Sequence, residues 1–144
     1  MPVLTNPLGW FTLRVPEGWH PSTEDGVTTL TGPHGGGVLY VSGGRHSGGR
    51  KAGFGGADFL ARFLRFLGLS VNEEAIEGPQ GASCRIYEYR REDEGILWHY
   101  WSVTDDETAL LICYICHEET DGREAVEVES IVRSVQLYHS TPVH

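Results

Sequence analysis

The sequence predicts an α+β domain built on a mostly antiparallel sheet of six to seven strands, in the order βββ-α-βββ-α-β, covered by two helices. Three observations carry this. Ile96–Glu118 is the densest apolar stretch, ILWHYWSV and then ALLICYIC around the acidic turn Asp105–Asp106–Glu107, and it reads as two long paired strands. Alternate residues of a strand face opposite sides, and here both sides are apolar, so the sheet needs a cover on each face. Two stretches have helical periodicity, Ala57–Leu67 and about Gly122–Arg133, and they supply those covers.

Taken in order, Trp10–Val15 alternates as a strand and runs into Val15–Pro16–Glu17–Gly18, a turn of type I by its proline and glycine. Glu24–Asp25–Gly26 is a hairpin turn into a strand at Val27–Thr31. A glycine-rich loop, Gly32–Gly37, leads to another strand at Val38–Ser42, which makes a three-strand meander. Gly43–Gly56, GGRHSGGRKAGFGG, is half glycine and holds most of the local positive charge. In the helix that follows, Phe59, Leu60, Phe63, Leu64 and Leu67 form one stripe, with Arg62 and Arg65 on or near the other side. Gly68 then Leu69 is a glycine cap with its hydrophobic contact.

Val71–Gly81 reads as an acidic connector and Cys84–Arg91 as a strand, turned by Glu92–Asp93–Glu94–Gly95 into the central hairpin. There, if Val103 pairs with Thr108, Trp98 lies opposite Cys113 and Tyr100 opposite Leu111. Asp121 with Glu124 three residues on has capping-box spacing and announces the last helix, whose apolar side is Ala125, Val128, Ile131 and Val132. Val135–Tyr138 returns as a short edge strand. No internal repeat or interdomain linker is evident, so residues 1–144 read as one α/β sandwich domain.

The strand FTLRVPEGW (Phe11–Trp19), the glycine-rich link to a helix, the three-strand meander and the final IVRSVQL (Ile131–Leu137) resemble the PsbP-like α/β sandwich family. That family includes an extrinsic photosystem II subunit, a Ran-binding nucleotide-release factor and many small bacterial proteins. The quotable signature is Pro16–Glu17–Gly18–Trp19 after a strand. The resemblance implies a fold and a habit of protein binding or assembly rather than catalysis. None of the family's partner-binding or metal-binding residues matches a position here, so none is carried over.

The formal charge of −9 disfavours nucleic acid and anionic membranes as partners, since neutralising phosphates needs clustered cations. No basic and then apolar leader opens the chain, and no apolar run reaches the roughly 18–20 residues that span a bilayer. A soluble cytoplasmic protein is the expectation.

Cys113–Tyr114–Ile115–Cys116–His117 spells the haem c motif C-x-x-C-H. Strand geometry argues against that chemistry, because residues three apart point to opposite faces and one haem edge cannot meet both sulfurs. The same three residues span about 10 Å, beyond the roughly 7 Å limit between bridged Cα atoms. Zinc would need two further converging ligands; Cys84 and His99 could supply them, but no second C-x-x-C or H-x-H exists. All three cysteines therefore read as small core residues, with no cofactor and no metal.

His99 sits between apolar neighbours and reads as a hydrogen-bonded core histidine. Glu88, the one carboxylate inside a strand, reads as paired with Arg90 or exposed at an edge rather than as a general acid or base. Gly44–Lys51 fails as a phosphate loop, because Arg50 follows Gly49 and Ala52 replaces the magnesium-holding hydroxyl.

What remains is Arg45, His46, Arg50 and Lys51 on a glycine-rich segment of an acidic protein. They are either a solvated connector or a contact for an anion or partner. The functional expectation is a non-catalytic protein-interaction or assembly module with a protein partner, an anionic one if those cations make the contact. The alternative is a small-molecule or anion binder, or an enzyme, with its site at the Gly43–Gly56 loop.

Overall fold

The computed structural model describes residues 3–6, 9–33, 36–45, 57–71, 73–80, 84–105, 108–117 and 121–138. Ten strands and two α-helices occur among them. The strands are β1 (Val3–Thr5), β2 (Phe11–Arg14), β3 (His20–Glu24), β4 (Val27–Thr31), β5 (Gly37–Arg45), β6 (Glu77–Gln80), β7 (Arg85–Asp93), β8 (Ile96–Thr104), β9 (Thr108–His117) and β10 (Gln136–Leu137). Helix α1 (Ala57–Phe66) follows β5, and α2 (Asp121–Arg133) follows β9.

Seven strands form one antiparallel sheet in the order β3-β4-β5-β9-β8-β7-β6, and β1-β2-β10 form a second, smaller one. The expected α+β architecture with a mostly antiparallel seven-stranded sheet and two helices is present. Its N-terminal part differs from expectation. The meander is β3-β4-β5, whereas Phe11–Arg14 leaves the large sheet to pair with β1 and β10. The turn that redirects the chain runs from Pro16 O to Trp19 N (3.2 Å), with Gly18 at φ +89°. A positive φ at the third turn residue belongs to a type II turn, not type I.

The central hairpin pairs β8 with β9 in the register Tyr100↔Cys113 and Trp98↔Ile115. This is two residues from the pairing that a Val103–Thr108 closure would give. Asp105 sets it: its Oδ1 accepts the Thr108 N–H at 2.7 Å, and its own N–H donates to Thr108 O at 3.0 Å, closing a tighter turn. A shift of two preserves which face each side chain takes.

The stretch read as a connector contains a 3-10 turn at Glu73–Ala75 and the edge strand β6. Pro79 and Gly78 (φ +133°) disguised it, and the register of β6 with β7 is irregular between Glu77 and Gln80. Proline within a sheet is confined to such edges and bulges.

Each face of the large sheet has its own core. On one, β2, β10 and α2 cover Leu39, Val41, Leu97, Trp101, Leu110 and Ile112. We call this the α2 face. On the other, α1 buries Leu60, Ala61 and Leu64 against Tyr100, Val71 and Ile76. Helix α1 ends as expected: Leu69 N donates to Leu64 O (3.0 Å) and Gly68 N to Arg65 O (2.9 Å), with Gly68 at φ +90°. That pair of bonds is the Schellman cap.

Helix α2 turns inward along Glu124, Val128, Ile131 and Val132, while Ala125 is exposed rather than part of its apolar side. Glu124, expected at a solvent-facing capping box, is wholly buried.

Candidate functional site

A helix is about 10–12 Å across, whereas seven strands about 4.8 Å apart span nearly 30 Å. Helix α1 packs chiefly on β6, β7 and β8. The α1 face of β5 and β9 is therefore only partly covered. Burial along these strands records the difference: Leu39, Val41, Ile112, Tyr114 and Cys116 are buried on the α2 face, whereas Ser42, Leu111, Cys113 and Ile115 are half-buried and Tyr40 is exposed.

Between the flank of α1 and these strands lies an apolar groove of about 200 Å³. Phe63 and Leu67 form the helix wall, Trp98, Tyr100 and Leu111 the floor, and Tyr40 the far rim. Trp98 and Tyr100 stack at 6.4 Å between centroids, Tyr100 and Tyr89 at 6.5 Å, and the Arg91 guanidinium lies 5.0 Å over the Trp98 ring. Leu67, in the groove's helix wall, is 49% exposed, and Phe66 on α1 is 86% exposed. Cys113 also lines it, and burial pushes its thiol up to about 12, so the group is a neutral SH rather than a nucleophile.

A second cleft, of about 430 Å³, lies where β1, β2 and β10 meet the end of α2, lined by Arg14, Arg133 and several hydroxyls. Its Tyr138 and Ser134 hydroxyls already have partners within the protein. Tyr138 O–H donates to Gln136 Oε1 (3.0 Å) and lies 3.3 Å from Thr12 Oγ1. Ser134 Oγ donates to Ile131 O and accepts from Arg14 N.

Two titratable pairs lie on the α2 face. His99 Nε2 stands 2.8 Å from Glu88 Oε2, and the imidazole stacks on Trp101 at 3.7 Å. Burial holds His99 below its ordinary value, against the upward pull of Glu88. His99 is thus a hydrogen-bonded core histidine, as its neighbours in sequence suggested. Its partner is Glu88, which the sequence assigned to Arg90 or to solvent.

Deeper, Tyr114 O–H donates to Glu124 Oε1 at 2.6 Å. Glu124 Oε2 has no hydrogen-bond partner among the described residues and lies against Gly32. A Cβ on Gly37 would meet the Tyr114 ring at 2.6 Å, so both glycines make room for this pair.

Of the four residues singled out in sequence, Arg45 ends β5, its backbone opposite Thr108. His46, Arg50 and Lys51 lie outside the described residues. Cys113 and Cys116 occupy opposite faces of β9, in separate cores, which rules out one haem or one disulfide joining them there. Sequence reasoning missed the groove because Trp98 reads as core. Nothing in the periodicity marks where α1 stops covering the sheet.

No protein-family model matches the chain, and no curated protein matches it in sequence. Solved structures do match in shape. The solution structure of cyanobacterial PsbP (CyanoP) from Synechocystis superposes with a TM-score of 0.68 at 13% identity, over 95% of this chain and 92% of that one. The fold is PsbP-like. A crystal structure from Bacteroides thetaiotaomicron matches with a TM-score of 0.69 at 14% identity, over 96% of this chain. This chain spans about half of that one, 48%. At such identities the likeness concerns the fold alone. Among the described residues, no helix is long and apolar enough to cross a membrane.

Proposed function

We propose that this PsbP-like protein is a non-catalytic interaction module that binds another protein through the α1 face of its sheet. The observation that carries this is the groove beside α1, lined by the exposed Leu67 and Tyr40. Apolar and aromatic surface left open beside a packed core marks an interaction site. At about 200 Å³ the groove is smaller than the roughly 300–1,000 Å³ of ordinary ligand pockets. Arg45, His46, Arg50 and Lys51 belong to the same proposal, as cations that attract an anionic partner toward the segment linking β5 to α1. A reducing, cytoplasmic setting fits the three free cysteines.

The test is affinity capture from native cell extract, with the wild type and Arg45→Ala/Arg50→Ala/Lys51→Ala run in parallel over a salt series. The module reading expects specific capture that weakens with salt and with the triple change, at unchanged melting temperature. Capture of nothing above control from the wild type overturns it. A second reading, an anion-binding protein, is favoured by Arg14 in the 430 Å³ cleft, beside Arg133, whose Nε is paired with Glu129. A phosphate-dependent rise in melting temperature that Arg14→Gln abolishes would support it.

A further inference from the structure

We infer that the cleft between the end of α2 and the outer face of β1-β2-β10 binds a small organic monocarboxylate, its carboxylate held by Arg14 and Gln136 and its apolar body against Val3 and Tyr138. This goes beyond the interaction-module reading; it deepens the anion-binding one and rests on it.

The strand pattern builds the site. Along β2, Phe11 and Leu13 are buried, so Thr12 and Arg14 project from the opposite, outer face of the small sheet. Strand β10 pairs Gln136 with Thr12. That makes Gln136 the diagonal neighbour of Arg14, about 7–8 Å away and within reach for long side chains. Strand β1 sets Val3 opposite Arg14. These four residues and Tyr138 line a cleft of about 430 Å³, inside the roughly 300–1,000 Å³ of small-molecule sites.

Hydrogen-bond accounting selects the head of the ligand. Tyr138 O–H donates to Gln136 Oε1, and Thr12 Oγ1 lies 3.3 Å from the Tyr138 oxygen. A phenol has one proton, so the Thr12 hydroxyl donates to Tyr138 in turn. This chain occupies the amide oxygen and leaves the Gln136 NH2 group without a partner among the described residues. The Arg14 guanidinium has none there either. Ser134 Oγ is taken, donating to Ile131 O and accepting from Arg14 N. The cleft therefore offers free donors, and a planar carboxylate can accept from guanidinium and amide together.

Charge selects a monoanion. No Asp or Glu is among the described residues lining the cleft, and of its two arginines Arg133 already holds Glu129 at 2.9 Å. One uncompensated cation matches one negative charge, a carboxylate rather than a doubly charged phosphate. The end of α2 beside the cleft carries partial negative charge, but its Ser130, Ile131 and Val132 carbonyls accept from the Ser134 and Val135 N–H groups. The rest of the ligand meets Val3 and the Tyr138 ring, 57% and 43% exposed, which lose water when an apolar body covers them.

The experiment titrates the full chain with benzoate, acetate, neutral benzamide and inorganic phosphate at matched ionic strength. Binding is read by melting temperature, and its place by the side-chain resonances of Gln136 and Tyr138. The inference expects saturable benzoate binding about tenfold or more tighter than the other three, with shifts at both residues. Arg14→Gln and Gln136→Glu should each weaken benzoate about tenfold or more and leave the ligand-free melting temperature unchanged, since both side chains are exposed. Val3→Ser should bring benzoate down toward acetate.

Benzamide binding as tightly as benzoate overturns the inference, as does benzoate binding that ignores either Arg14→Gln or Gln136→Glu or leaves Gln136 unshifted. If phosphate raises the melting temperature through Arg14 and benzoate does no better, the anion-binding reading stands and the monocarboxylate site falls. If no anion responds to Arg14→Gln, both fall.

Discussion

The buried Tyr114–Glu124 bond offers the sharpest test of the packing argument. Tyr114 is 2% exposed and Glu124 0%, and one 2.6 Å bond joins them. Tyr114→Phe keeps the ring that fills the space above Gly37 and removes only the hydroxyl. It leaves the carboxyl group of Glu124 with neither oxygen partnered among the described residues. Stranding a buried carboxyl costs roughly 2–4 kcal/mol, which for a chain of this size lowers Tm by roughly 5–15 °C. Glu124→Met strands the tyrosine hydroxyl instead, at about 1–3 kcal/mol. The double variant removes both polar groups and substitutes apolar surface of similar shape, so it should recover most of the loss. Urea unfolding of all four proteins, with slopes compared before midpoints, gives the coupling energy directly. If the double variant loses the sum of the two single losses, the bond couples nothing and the account of this core is wrong.

Three further outcomes are expected. Trp101→Ala should cost about 3–5 kcal/mol and Trp98→Ala only about 1–2 kcal/mol in urea unfolding, because Trp101 is fully covered while Trp98 lines an open groove; the reverse order would refute the uneven cover. Glu94 occupies the β7–β8 turn at φ +50° beside Gly95 at +78°, so Glu94→Asn should raise stability by about 0.5–1 kcal/mol; an unchanged or lower Tm would show the turn is not strained. His99 is held below its ordinary value near 6.5, so the unfolded chain binds its proton first as pH falls. Its contribution is intact above about pH 6.5 and is lost as pH falls below that toward the folded value. His99→Gln should therefore flatten the Tm–pH curve between about pH 7 and 5, even with Glu88, Arg90 and Glu129 retained; an unaltered slope would refute it.

The parts of this fold legible in the sequence were those where one period dominates. The doubly apolar β8–β9 pair, the stripe of α1 with its Gly68 cap, and the Asp25–Gly26 hairpin turn all announce themselves locally. What stayed hidden depends on distant partners. Phe11–Arg14 reads as a meander strand until β10, more than a hundred residues later, pairs with it. Glu124 looks like a cap until Tyr114 claims its carboxylate, and Glu88 looks like an edge charge until the diagonal neighbour His99 does the same. The groove was the least legible, because no periodicity says how far along a sheet a helix will sit.

That last point bears on why the groove lies where it does. The two faces of the sheet are equally apolar at their centre but receive unequal covers. The α2 face gains a helix and a three-stranded sheet together, enough to reach from β4 to β7, and its core runs from Leu30 to Ile86. The α1 face gains one ten-residue helix, about 15 Å long and well under half as wide as the sheet. That helix must lie over Tyr100 and Ile76 to bury Leu60 and Leu64. From there its flank cannot also reach Tyr40, so an aromatic-floored trough beside β5 follows from the arithmetic of widths. Nothing in that arithmetic requires an exposed phenylalanine at position 66, where a polar residue would satisfy the helix at lower solvation cost. The geometry accounts for the trough and leaves the exposed Phe66 of α1 unexplained.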